Sequence, residues 1–219
     1  MSDAGESRSE RLPLVHPPAA VGADECAPRV AGVLLAAGTS SRFGDANKLL
    51  ATYEGTPLVR RAAETLVEAG LAPLVAVVGY QHDRVTAALS GLPFTVVENP
   101  QYDEGQATSV RRGVEALDPD VDAVVFALGD MPAVAPESVR ALVDVYRTES
   151  WTALAAACEG ERGNPVLFDR RHFDALADVS GDRGGRRILT AGTGSALVET
   201  GDAGVRRDVD TRADLDRFG

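Results

Sequence analysis

From Arg29 onward, short runs of Val, Leu and Ala alternate with segments whose apolar residues recur at helical spacing. Apolar runs of this kind are what strands look like when a largely parallel sheet is covered on both faces. The pattern predicts strands at residues 30–36, 74–78, 94–97 and 123–128, each followed by a turn signal. Helices are predicted at about 57–69, with Pro57 early and Gly70 as the stop, and at 82–89, 107–117 and 136–147. The second half continues with a strand at 153–158, short helices at 170–177 and 185–190, and a closing helix at 212–218. The plan is a doubly wound α/β layer sandwich, in which ligands gather at the carboxyl ends of the strands. Chemistry is therefore expected in the loops after Ala36, Val78, Val97 and Leu128.

Residues 1–28 mix Ser, Glu, Pro and Ala with neither period and read as a mobile tail, leaving 29–219 as the catalytic domain. At 219 residues and 44% apolar, the chain is long enough for one well-filled core. A formal charge of -11 argues against a general nucleic-acid or anionic-membrane binder, because both surfaces would repel it. Any small anionic ligand would need a local cationic pocket. Lys48 is the only lysine among 22 basic residues, a bias that fits either a halophilic surface or a GC-rich genome. Cys26 and Cys158 are far apart and lack zinc-ligand spacing, so neither a disulfide framework nor a zinc site is indicated. With no apolar run of membrane length and no signal-peptide pattern, a soluble cytoplasmic protein is expected.

The first strand runs into a loop of small residues, Leu35, Ala36, Ala37, Gly38, Thr39, Ser40 and Ser41, then Arg42 and, shortly after, Lys48. Small side chains let backbone N–H groups approach phosphate oxygens, and the two cations can neutralise a triphosphate. An ordinary surface turn with two incidental cations is the competing reading. The spacing matches neither GxxxxGK[ST] nor GxGxxG, which disfavours a P-loop ATPase and an NAD-dependent oxidoreductase. In a chain that otherwise uses Arg, the lone lysine marks a place where a compact point charge on a flexible stem is wanted. Asp130, in Leu128-Gly129-Asp130-Met131-Pro132, sits at the tip of an apolar strand, where a hard oxygen ligand can hold Mg²⁺ against phosphates. Its alternative is a turn residue near the Pro136 helix.

The run Leu35 to Lys48 resembles the signature of the MobA-like NTP transferase family, nearest to its molybdenum cofactor cytidylyltransferase branch. The likeness continues in order through Phe218. It implies a three-layer αβα sandwich of nucleotide-diphospho-sugar transferase type with a mostly parallel, Rossmann-like sheet. It also implies Mg²⁺ on Asp130 and on Asp210 of the Asp208-Val209-Asp210-Thr211 ending, although Thr211 and Asp214 also read as a helix cap. Lys48, Arg42 and Asp130 are the implied catalytic residues. Asn99, Gly105 and Ser109 would lie along the nucleotide, with turn and helix-start roles as the alternatives. The second half would bind the acceptor, through Gly163, Asn164 and Pro165 and through Asp182, Gly184 and Arg186, unless that Arg cluster pairs with surface carboxylates instead. Asn164 replaces a His that many relatives carry. The implied donor is a nucleoside triphosphate, with CTP favoured because Ala37 stands where the guanylyl branch typically has Gly. The implied acceptor is molybdopterin, with a molybdoenzyme or its chaperone as a further partner. GTP, a sugar phosphate or a polyol phosphate are the alternatives within this chemistry. A non-catalytic NTP-binding module is the alternative outside it, and Asp130 argues against that reading.

Overall fold

The computed structural model describes residues 12–19, 27–40, 43, 46–178, 185–191 and 194–217. Ten strands occur among them: β1 (Leu14–Val15), β2 (Val30–Ala36), β3 (Thr52–Tyr53), β4 (Thr56–Pro57), β5 (Leu74–Val78), β6 (Thr95–Glu98), β7 (Ala123–Leu128), β8 (Ala153–Cys158), β9 (Glu161–Asp169) and β10 (Ser195–Glu199). The α-helices are α1 (Leu58–Glu68), α2 (His82–Ala88), α3 (Gln106–Glu115), α4 (Pro136–Thr148), α5 (Phe173–Ala177), α6 (Arg186–Ala191) and α7 (Arg212–Asp216). Eight strands form one sheet in the order β1-β10-β8-β9-β7-β2-β5-β6, and β3 and β4 form a separate hairpin. All pairings in the large sheet are parallel except those of β9, which runs antiparallel to both β7 and β8.

The alternation along β2 shows how the layers are made. Val30, Leu34 and Ala36 enter one core with α1, α2 and α4, whereas Ala31, Val33 and Leu35 enter the other with α3, α5 and α6. Every residue of β2 is buried, as a central strand covered on both faces requires. Gly32 and Gly113 let helices approach closely: a Cβ on Gly113 would lie 2.7 Å from Val33 Cγ1. Among the described residues no helix is long and apolar enough to cross a membrane.

Three features of the large sheet differ from expectation. Leu14–Val15, inside the segment read as a tail, forms an edge strand paired with Leu197 and Val198. Two residues whose partners lie more than 180 positions away carry no local period to reveal them. β9 was not expected as a strand because Gly163 and Pro165 interrupt it; the β8 ladder shifts register between Ala155 and Ala157 at that point, where Pro165 has no N–H to offer. β10 is five residues long and was also unread. Because β9 is antiparallel, its beginning rather than its end lies at the carboxyl edge of β7, since Phe126 pairs with Val166.

Candidate active site

The sheet order places β2 between β7 and β5, so the loops after β2 and β7 meet at the switch point of the sheet. There a cleft of about 460 Å³ opens, lined on one side by Ala37, Gly38, Thr39 and Ser40, on another by Tyr102, Asp103, Gly105, Gln106 and Ser109, and floored by Leu35, Lys48, Leu128, Asp130 and Asp210. Its size falls within the range of small-molecule sites.

The loop after β2 is fixed by a residue not singled out from sequence. Asn47, 3% exposed, accepts from Leu49 N at 3.0 Å and from Ser40 Oγ at 3.2 Å, and its Nδ2 donates to Tyr80 O at 3.1 Å. Lys48 N in turn donates to Ser40 Oγ at 3.1 Å. Tyr80 N donates to Ala37 O at 3.2 Å, and a Cβ on Gly79 would lie 2.9 Å from that same oxygen. The loop is thus stapled to the end of β5, with Ser40 held at φ 57°.

Lys48 is delivered into the cleft at the start of a short 3-10 turn, Lys48–Leu50. Its Nζ lies 2.6 Å from Asp130 Oδ2 and 2.7 Å from Asp210 Oδ1, with the side chains 13%, 18% and 37% exposed. Burial alone would lower the Lys48 pKa, but the Asp130 charge and hydrogen bond, followed by those of Asp210, raise it above the ordinary value. The two carboxylates come from separate elements joined by a backbone bond, Val209 N to Asp130 O at 2.9 Å. Val209 is fully buried, which locks the segment from 208 to 210 against the end of β7. Asp208 stands nearby at the surface; desolvation, then Asp130 and Asp210, raise its carboxyl pKa. Gly129 N donates to Leu35 O at 3.0 Å, and only a small residue fits beneath Leu49 there. The capping reading of the ending holds as well: Thr211 and Asp214 form a capping box on α7 while Asp210 turns into the cleft.

Two carboxylate oxygens already grip a cation, the ammonium, at hydrogen-bonding distance. A donor set of this kind, with an open cleft for waters and phosphate oxygens, fits a hard divalent ion held by Asp130 and Asp210.

The nucleotide residues read from sequence divide into two groups. Leu35, Ala37, Gly38, Ser40, Lys48, Gly105 and Ser109 line the cleft. Ala36 is not in its lining, and its side chain lies in the core on the α1 face. Asn99 is also corrected: it is fully buried behind the wall, with Nδ2 donating to Thr108 Oγ1 at 2.9 Å and Ser109 Oγ at 3.0 Å, and Oδ1 accepting from Gln101 N at 3.1 Å. It braces the wall that carries Ser109. Ser41 and Arg42 lie outside the described residues.

A second cavity of about 200 Å³ shares Leu35, Gln106 and Leu128 with the cleft. Phe126, Val166, Phe168, Val110 and Leu176 make its apolar walls, and Arg162, Asn164 and Arg186 make its polar ones. Of the acceptor residues read from sequence, Asn164 and Arg186 are here, whereas Gly163 and Pro165 are not. A Cβ on Gly163 would meet Val205 O at 2.1 Å, so this glycine permits a backbone crossing. Pro165 lines a small void on the opposite face of the sheet. Asp182 and Gly184 lie outside the described residues. Arg162 was missed, although alternation along β9 from Asn164 would have pointed to it. Its outer edge is exposed, yet desolvation of its guanidinium and then the Arg186 charge hold its pKa below the ordinary value. Neither Arg162 nor Arg186 is paired with a carboxylate among the described residues.

Comparison with known proteins identifies the family. Residues 32–197 match the MobA-like NTP transferase domain. The chain is 32% identical to the nicotine blue oxidoreductase of Paenarthrobacter nicotinovorans, over 84% of this chain and 93% of that protein. It is 31% identical to a probable molybdenum cofactor guanylyltransferase of Natronomonas pharaonis, over 85% of this chain and 95% of the other. Among solved structures, Rv0371c of Mycobacterium tuberculosis H37Rv superposes with a TM-score of 0.77 at 31% identity, covering 88% of this chain and 98% of its own. A further structure of Rv0371c is a complex with manganese, similar to this chain with a TM-score of 0.71 at 30% identity, covering 87% of this chain and 97% of its own.

Proposed function

The chain belongs to the MobA-like NTP transferase domain family, with the nucleotide-diphospho-sugar transferase fold, and on that premise we propose that it transfers CMP from CTP to the phosphate of molybdopterin, releasing pyrophosphate. The observation that carries this reading is the meeting of Lys48, Asp130 and Asp210 on the floor of a cleft walled by the small-residue loop. Placing a cation and two carboxylates together suits a reaction in which a polyanion is held, an anionic nucleophile attacks, and a polyanion leaves.

In this mechanism an oxygen of the acceptor phosphate attacks the α-phosphorus, and the bond from that phosphorus to the oxygen bridging to the β-phosphate breaks. The nucleophile is already an anion, so no general base is needed. His16, His82 and His172 accordingly line neither cavity. Amides of the loop at Ala37 and Gly38 receive the departing diphosphate, together with Lys48 and Arg42. Asp130 and Asp210 would hold Mg²⁺ or Mn²⁺, which would supply neutralisation of phosphate charge when bound. The manganese complex of the 30% identical Rv0371c supports a divalent ion in that role. Gln106, shared by both cavities, sits where donor and acceptor would meet. The apolar walls and two arginines of the smaller cavity suit an acceptor with a ring system and an anionic group.

CTP is preferred over GTP on Ala37, whose Cβ packs toward Gly79; the guanylyltransferase relative keeps GTP as the alternative. The test is a panel of nucleoside triphosphates and phosphorylated acceptors with Mg²⁺ or Mn²⁺, scored by pyrophosphate release. Release with CTP and molybdopterin is expected, and none with any triphosphate would reject the transfer reaction. The oxidoreductase relative favours a second reading, a redox enzyme acting on a flat heterocycle in the same smaller cavity. Consumption of a reduced pyridine nucleotide in the absence of any triphosphate would decide for it.

A further inference from the structure

We infer that Lys48 is an exchangeable internal cation: it occupies the position between Asp130 and Asp210 in the empty protein and is drawn onto the polyphosphate as a divalent ion takes its place. This rests on the metal assignment of the proposed function and goes beyond it, because it says that metal and nucleotide must load together.

Four observations support the inference. The ammonium is 2.6 and 2.7 Å from one oxygen of each carboxylate, so a second cation on those oxygens would share their space and be repelled. The carboxylates do not depend on Lys48 for their placement, since Val209 N to Asp130 O at 2.9 Å and the capping box at Thr211 fix the backbone around them. Lys48 is itself anchored by its backbone, through Lys48 N to Ser40 Oγ at 3.1 Å, which leaves a four-carbon stem free to swing within the cleft. That backbone anchor is Ser40, in the loop that lines the cleft, so the loop side of the cleft is within the stem's sweep. Without the swing, Lys48 would spend its charge on two acids and hold no phosphate.

The consequence is a two-way dependence. A divalent ion arriving alone must evict a cation that then has no phosphate to pair with. A nucleotide arriving alone must pull Lys48 away and leave Asp130, Asp210 and the neighbouring Asp208 facing a polyanion. Together, each relieves the other, and by linkage the metal raises nucleotide affinity by the same factor as nucleotide raises metal affinity.

The test is Mn²⁺ titration of the full chain without nucleotide, read by the loss of the free-ion signal in electron paramagnetic resonance. Lys48→Met should bind Mn²⁺ about tenfold or more tightly than the wild type, whereas Lys48→Arg, which keeps the cation, should bind no more tightly than the wild type. Melting supplies an independent measure: Mn²⁺ should raise the Tm of Lys48→Met more than that of the wild type, and Lys48→Gln serves if Lys48→Met does not fold. In the wild type, a CTP analogue with a methylene bridge between its α- and β-phosphorus should tighten Mn²⁺ binding. Equal or weaker Mn²⁺ binding by both neutral variants overturns the exchange, as does a gain that survives Asp130→Asn with Asp210→Asn. These titrations involve no turnover, so their failure is distinct from a failure to release pyrophosphate.

Discussion

The two cavities at the carboxyl edge of the sheet share a wall but solve charge in opposite ways. In the larger cleft one lysine is compensated by Asp130 and Asp210 within the protein. In the smaller cavity two arginines approach each other with no carboxylate partner among the described residues, and the pKa of Arg162 is depressed by burial and by Arg186. Both arginines are exposed at their outer edges, and an anion between them would relieve the repulsion of two like charges. On the proposed function, the first region would exchange charges during transfer, and the second would receive the acceptor's anion. A single wall formed by Leu35, Gln106 and Leu128 separates the two charge arrangements.

The largest expected effect comes from disturbing the compensated site. Asp130→Asn should lower kcat for pyrophosphate release by about 10³-fold or more, since it removes a proposed metal ligand and half of the Lys48 clamp. The fold should survive, because Val209 still bonds to the residue 130 carbonyl and Lys48 keeps Asp210. Circular dichroism and melting check the second half of that statement; turnover within tenfold of the wild type would remove the site from the chemistry. Arg162→Ala, on the other side of the wall, should raise the acceptor KM by about 10- to 100-fold, the size expected for losing a charged hydrogen bond. The nucleotide KM should hardly move. If both KM values change together, the two regions are one site and the comparison fails.

Much of this division was legible in the sequence. β2, β5, β7 and β8 match the predicted strands because each is a continuous apolar run bounded by a turn signal. Lys48 and Asp130 stood out by residue type and place, Asp210 only through the family resemblance, and the structure brings all three side chains to one point. What sequence could not show was which polar residues face a ligand and which brace the wall. Asn99 reads like a ligand residue, and so does Asn47 once seen, yet both spend their amides inside the protein. Nothing local distinguishes a buried amide from an exposed one when its partners are nine or 33 residues away. Arg162 was hidden for a different reason: Gly163 and Pro165 mask the strand whose alternation would have aimed it.

Asn99 offers the next test. As a brace rather than a contact, Asn99→Ala should destabilise the protein by about 1–3 kcal/mol, because Thr108, Ser109 and Gln101 each lose a buried partner. Urea unfolding measures this. Residual changes in nucleotide KM should follow the loss of order at Ser109. A large KM change with no loss of stability would restore Asn99 to the nucleotide.

The smallest effect belongs to the far end of β9, and it sharpens the contrast with Arg162 at the near end. Tyr146 Oη donates to Asp169 Oδ2 at 2.8 Å, and Asp169 Oδ1 accepts from Arg171 N and Nε at 2.9 Å each. Burial pushes the Asp169 carboxyl upward, but the Arg171 and Tyr146 donors outweigh it and hold the pKa below its ordinary 3.8. Burial, then Asp169, pushes the Tyr146 phenol well above its ordinary 10.0. A depressed carboxyl contributes stability that is present above its unfolded value and lost as pH falls through the folded one. A raised phenol contributes stability that is complete below its unfolded value and lost as pH climbs through the folded one. Tyr146→Phe should therefore cost about 1 kcal/mol or less near neutrality. The deficit should shrink below the carboxylate range, where Asp169 is protonated in both proteins, and again in strong alkali, where the wild-type phenol ionises. Tyr146 lines neither cavity, so acceptor KM should stay at the wild-type value across the whole range. A shift in KM would mean that the anchor of β9 reaches the arginines at its start, and that recognition extends along the strand.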